Sequence, residues 1–167
     1  MTSPAAVPIE EAAPAPTHLK YAVAEAALSF AGAAVAGTLW WAHRTSVILP
    51  CTSGGGCETV ADSRWAHVTV GPYHDVPVAL LGLIGYVALL VLSFLKMGAE
   101  RPAAVRRLHA LLWLVSAGGF GYSWYLQYVA HFLLQAFCVW CFTSACLMTV
   151  LFLTATLEGI APWTRRR

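Results

Sequence analysis

Charge is what this sequence has least of. Asp, Glu, Lys and Arg make up 11% of the 167 residues, while 59% are apolar; an average soluble domain is about a quarter charged. That balance excludes an ordinary water-soluble domain, because the surplus apolar surface must face something other than water. A net charge of +2 spread over so few groups gives no basic patch from which nucleic-acid binding could be argued. Internal repeats are absent, and the length corresponds to one domain. Residues 1–17 contain no aromatic residue and carry Pro4, Pro8, Pro14 and Pro16, so they read as a disordered tail. That tail holds Glu10 and Glu11 where a cleaved signal peptide would hold a basic cluster. The first apolar run is therefore expected to stay in the membrane. No run has an acidic or basic residue near its midpoint, as an ion path would need, which argues against a transporter.

What is present is a set of four apolar runs, at residues 21–42, 76–95, about 108–132 and about 135–157. Each reaches the roughly 20 residues needed to cross a hydrocarbon core of about 30 Å. Glu25 is the one charge of the first run, near its start, and Pro77 sits at the first turn of the second, where a missing N–H costs little. The third and fourth runs are separated by only a few residues and are expected to form a tight antiparallel pair. With the N-terminus in the cytoplasm, Lys20, Lys96, Arg101, Arg106, Arg107 and Arg165 to Arg167 lie inside, and only Arg44 and Arg64 outside. That asymmetry is a positive-inside signal, and Trp40, Trp41, Tyr73 and Trp140 fall where an outer aromatic belt belongs. The expected fold is an all-α membrane protein: a four-helix transmembrane bundle in the cell (inner or plasma) membrane, both termini cytoplasmic, residues 161–167 a basic tail.

Of the five cysteines, four form two close pairs, and this topology puts both on the outer, oxidising side. Cys138-Val-Trp-Cys141 is a C-x-x-C expected about one turn into the fourth helix, where residues three apart share a face. The positive end of a helix stabilises a thiolate there, which makes the pair an exchangeable redox couple. Cys51 and Cys57 bracket Thr-Ser-Gly-Gly-Gly in the outer loop. Three glycines loosen that loop, as a cysteine that bonds first to one partner and then to another requires. The loop pair can thus take electrons from a soluble protein and pass them to the helix pair. From Glu58 to His67, the spacing of Val60, Trp65 and Val68 predicts a short amphipathic helix on the membrane surface, capping the bundle.

The order Cys51, Cys57, Ser63, Pro77-Val-Ala-Leu-Leu-Gly-Leu-Ile-Gly-Tyr86 and Cys138-x-x-Cys141 resembles the vitamin K epoxide reductase family, particularly its bacterial members, over about residues 20–157. The resemblance implies a membrane domain over residues 18–160, a four-helix bundle around a quinone pocket with a capping half-helix. It implies that Cys51 exchanges with a thioredoxin-like dithiol protein and that Cys57 relays electrons to Cys138. Cys141 would stand nearest the quinone, with Ser63 donating a hydrogen bond to a quinone oxygen or a nearby thiolate. The acceptor would be menaquinone or ubiquinone, no metal would be needed, and the result would be disulfide formation in exported proteins. Some bacterial relatives carry a fused thioredoxin-like domain; here the chain ends shortly after the fourth run, so a separate partner is expected. No obvious match is found for the polar residue that contacts quinone or vitamin K in animal members, which makes epoxide reduction the second reading.

Plainer readings stand beside these. The C-x-x-C can be two small buried residues, the loop pair a structural disulfide, and the four thiolates a zinc site; together they describe a non-catalytic membrane subunit. Ser63 can cap a helix or turn. Cys146, off the face of Cys141, reads as core. His43, His67, His74 and His131 read as solvated polar residues near the interface. Gly82 and Gly85 read as close-packing positions between helices, and Tyr122, Tyr125 and Tyr128 as packing or belt residues.

Overall fold

In lipid, a long apolar run can satisfy its backbone N–H and C=O groups only within itself, so it folds as helix. The computed structural model describes residues 17–45, 47, 56–70 and 73–164. Its elements are α1 (Thr17–Thr45), α2 (Gly56–Ala61), a 3-10 turn (Arg64–Ala66), β1 (His67–Val70), β2 (Tyr73–Pro77), α3 (Val78–Met97), α4 (Pro102–Tyr128), a π-helical turn (Val129–Leu133) and α5 (Val139–Thr164). The tail expected at residues 1–17 lies outside the described residues except for Thr17, which opens α1. Cys51, Gly54 and Gly55 also lie outside them, as do Arg165 to Arg167.

The four long helices close into a ring, α1 and α4 each lying along both α3 and α5. Leu19–Thr45, Val78–Met97 and Val139–Ile160 are long and apolar enough to cross a membrane. Helix α4 is as long, but its middle is diluted by Ser116, Gly118, Gly119, Gly121 and Ser123, and it falls short of that apolarity. It begins six residues earlier than its apolar run (102 against 108), with Pro102 in its first turn. Phe30, Ile84, Phe94, Leu114, Leu153 and Leu157 are each more than half exposed, whereas the packed centre is made of Ala36, Leu89, Leu112, Leu151 and Ala155 around Tyr86. Large apolar side chains turned outward along helices of this length suit a lipid solvent, and the chain is a helical membrane protein.

Two features of the connections differ from expectation. The segment read as one amphipathic helix from Glu58 to His67 starts helical, as α2, and ends extended. The structure is therefore not purely α: β1 and β2 pair antiparallel, His67 opposite Pro77, Val68 opposite Val76 and Val70 opposite Tyr73, with a bulge between Val68 and Val70. The alternation of Val68 and Val70 has the period of a strand, and the helical spacing seen in the sequence joined residues of three different elements. Within the long helices, a Cβ on Gly82 would make only an ordinary contact with Ala36 and one on Gly85 would meet nothing; the crowded positions there are Gly32, under the Tyr86 ring, and Gly119, against Met148.

At one end of the ring each long helix contributes a polar side chain to a single cluster. The Lys96 ammonium of α3 lies 2.6 Å from Glu25 Oε2 of α1 and 2.5 Å from Glu158 Oε2 of α5. His109 of α4 places Nδ1 2.9 Å from the same Glu158 oxygen. Glu25 and Lys96 are fully buried. Lys96, counted in the sequence only among the cytoplasmic charges, is thus an interior one. The ligand atoms of Glu25, His109 and Glu158 lie within 4.8 Å of one another, as a metal site would require, but the ammonium already stands between the two carboxylates.

Candidate functional site

The opposite end of the ring carries the cysteines. The π-helical turn that extends α4 is closed by N–H donation from Leu134 to Val129 O at 3.1 Å and from Ala136 to Ala130 O at 3.0 Å. Gln135 then takes a left-handed conformation, φ 48°, and the chain reverses into α5. Cys138 is therefore at the helix start, not one turn inside it. Its carbonyl accepts the first helical bond, from Phe142 N at 3.0 Å, and its sulfur accepts the Cys141 N–H at 3.3 Å. A sulfur in the capping position meets both the free N–H groups and the positive end of the helix dipole. The Cys138 thiol is pulled down to about 7, first by a hydrogen bond from the Cys141 side chain, against burial, with help from the Cys141 and Trp140 backbone N–H groups. Cys138 is 2% exposed and Cys141 half-buried; both are free thiols, as is Cys146.

The loop element reaches this point through a glycine. A Cβ on Gly56 would lie 2.6 Å from Phe137 O and 3.1 Å from Phe137 N, closer than a side chain tolerates. Gly56 thus lets α2 rest directly on the backbone that precedes Cys138, and the next residue on each segment is a cysteine, Cys57 on one and Cys138 on the other. Cys57 is disulfide-bonded. Cys57, Cys138 and Cys141 all line one cavity of about 510 Å³, within the range of small-molecule sites. Its other walls come from α1, α3 and α4 and from the segment between α2 and β1, including Ala36, Val78, Leu81 and Leu126, and Gly82 and Gly85 with them. Trp65 closes over Tyr125 edge-on, ring centroids 6.4 Å apart, and fastens the cap to α4.

Polar groups in this cavity are few. Ser63 lines it, as expected, but its hydroxyl donates to Val60 O at 2.8 Å and makes no capping bond. Tyr86, 1% exposed, donates to Ser144 O at 2.8 Å, one turn beyond Cys141. His43, at the end of α1, also lines the cavity and places Nε2 3.3 Å from His67 Nε2, which pins the cap to α1. Gln127 of α4 lines it with a buried Nε2 that has no partner among the described residues.

The geometry brings four of the five expected site residues, Cys57, Ser63, Cys138 and Cys141, to one cavity; Cys51 lies outside the described residues. Tyr86, Gln127 and the His43–His67 pair were not singled out for it in the sequence. A carboxamide in the last turn of α4, among Tyr125, Leu126 and Tyr128, was the available signal for Gln127.

The arrangement offers a dithiol with one acidified sulfur, the disulfide-bonded Cys57 on the same cavity, and mostly apolar walls around them. A family model described as vitamin K epoxide reductase family matches residues 23–156, which takes in all five expected site residues and three of the four residues of the charged cluster, Glu158 lying two positions beyond the match. The chain belongs to the vitamin K epoxide reductase family.

Proposed function

We propose that the protein is a membrane thiol:quinone oxidoreductase that oxidises a thioredoxin-like dithiol partner, reduces a membrane quinone and so drives disulfide formation in exported proteins. The observation that carries this reading is the shared cavity: Cys57, Cys138 and Cys141 face one mostly apolar space, the environment in which a lipid-soluble acceptor is held. In this reading α4 is the fourth span and the α2 segment lies over the outer end of the bundle. The cysteines then face the outside, and the end bearing Lys96, Arg101, Arg106 and Arg107 faces the cytoplasm.

The partner's thiolate attacks the disulfide between Cys51 and Cys57, and its second thiol releases it as a disulfide, leaving the loop pair reduced. Cys57, as the thiolate, attacks Cys138 in the Cys138–Cys141 disulfide; Cys141 departs with the electron pair, and Cys51 then displaces Cys138. Gly56 against Phe137 favours this step by holding the two backbones in contact. In the last step the Cys138 thiolate closes on the Cys141 sulfur while two electrons and two protons pass to the quinone, giving quinol. A thiol acidified to about 7 supplies that nucleophile at neutral pH. A disulfide-bonded Cys57 with free Cys138 and Cys141 matches the state that precedes this last step.

Quinone reduction by the purified protein, supplied with a reduced thioredoxin-like donor, tests the proposal in wild type, Cys141→Ala and Cys51→Ala. Turnover in wild type and loss in both variants is expected. Loss in Cys141→Ala alone would remove the loop pair from the path. No turnover with any quinone, together with bound zinc or disulfides that resist reduction, would leave a structural membrane subunit.

A further inference from the structure

A neutral quinone offers its site nothing charged, only two ring oxygens that accept hydrogen bonds. Donors facing the cavity are therefore what can orient it, and most of them are already committed. The Ser63 hydroxyl proton goes to Val60 O and that of Tyr86 to Ser144 O, while His43 is paired with His67. Gln127 differs: its Nε2 is buried and has no partner among the described residues. An unpaired buried amide donor is costly and rare, and each instance calls for an explanation. Here the explanation is an acceptor that arrives with the substrate.

Position supports this. Trp124 Nε1 donates to Thr149 Oγ1 at 3.0 Å, which fixes the register of α4 on α5. Gln127 lies three residues nearer the cysteine end, about 4.5 Å beyond that bond at ~1.5 Å per residue, while Cys141 lies about 12 Å beyond it on α5, which leaves about 7.5 Å along the axis for a bound ring to span. The helix turns π-helical two residues later, at Val129, and such turns frequently accompany functional sites.

We propose that Gln127 recognises the quinone, its side-chain N–H donating to a ring oxygen and holding the ring against Cys141. This rests on the thiol:quinone reading and adds the residue that sets acceptor affinity, a role for which the sequence offered Cys141 and Ser63. The test uses the full chain in detergent, with Gln127→Leu, which keeps the volume and removes the donor, and Gln127→Glu, which replaces it with an acceptor. We expect the KM for a soluble quinone to rise about tenfold in both, with kcat within about twofold and the KM for the dithiol donor unchanged. Quenching of tryptophan fluorescence by quinone in the oxidised protein should report the same loss as a Kd. Gln127→Leu should unfold no more easily than wild type, since it removes an unpaired donor. Wild-type quinone KM and Kd in both variants overturn the assignment while leaving quinone reduction intact. A rise in both substrates' KM together with a lowered Tm also overturns it, as a structural role. If wild type neither binds nor reduces quinone, the functional reading fails first, and the wild-type control alone shows which of the two has fallen.

Discussion

Replacing Lys96 with methionine removes the cation from between two carboxylates while keeping most of the side chain's volume. Glu25 and Glu158 approach its ammonium to 2.6 and 2.5 Å, and Glu25 is fully buried. Glu158 keeps His109, 2.9 Å away, but Glu25 is left without a counter-charge. Breaking a buried pair in this way costs about 3–5 kcal/mol. An independent bound comes from the least costly escape, neutralising one carboxylate with a proton from solvent. From a reference glutamate pKa of about 4.3, that costs roughly 3.7 kcal/mol at pH 7 and about 1 kcal/mol at pH 5. The two routes agree near neutrality, and the second adds a sign: the penalty shrinks as pH falls. SDS-induced unfolding in mixed micelles, followed by the seven tryptophans, measures it at both pH values. The Glu25→Gln, Lys96→Met double variant should recover most of the loss at pH 7, because it leaves no stranded charge. A Lys96→Met penalty under about 1 kcal/mol at pH 7, or one equal at both pH values, would refute the reasoning.

Three further outcomes are expected. Gly56→Ala puts a methyl 2.6 Å from Phe137 O and should slow donor-dependent quinone reduction at least about tenfold, since displacements of order 1 Å are that costly; reduction driven by a small dithiol that reaches Cys138–Cys141 directly should be unchanged, and equal slowing of both would count against a docking role. Because the Cys138 thiol is lowered to about 7, its thiolate is present above that pH and lost below it. Single-turnover quinone reduction by pre-reduced protein should therefore rise with pH and level off above about 7, and an inflection near 9 would contradict it. Gln135 has φ 48°, so Gln135→Gly should stabilise by up to about 1 kcal/mol and Gln135→Val destabilise by at least that much, measured by the same SDS titration; equal midpoints would show that the turn is unstrained.

Short-range features were legible in the sequence. Runs of twenty apolar residues became α1, α3 and α5, and the C-x-x-C spacing placed two sulfurs on one helix start. That Cys57 meets Cys138 and Cys141 at one end of the ring followed from counting the apolar runs between them. What depended on register between distant elements was not legible. Lys96 is 71 residues from Glu25 and 62 from Glu158, and no local pattern marks it as their partner rather than a loop charge. The hairpin was missed because Val60, Trp65 and Val68 happen to fit a helical period, although a strand begins at His67. The C-x-x-C was set one turn too deep because Gln135, which enters the left-handed region and delays α5, is not a glycine. Ser63 was placed at the cavity correctly, but the commitment of its hydroxyl to Val60 depends on backbone geometry that residue identity does not carry.

The contact between Gly56 and residue 137 is made with main-chain atoms, and main-chain atoms are the same whatever residue stands at 137. The Phe137 side chain points elsewhere, 44% exposed and beside Phe142 at 5.6 Å between ring centroids. The two positions therefore carry opposite mutational tolerance although they touch. Position 137 can drift among large apolar residues without altering the fit, whereas position 56 admits glycine alone. No change at 137 can rescue a substitution at 56; second-site suppressors would have to shift a backbone, by altering loop length or the turn at Gln135.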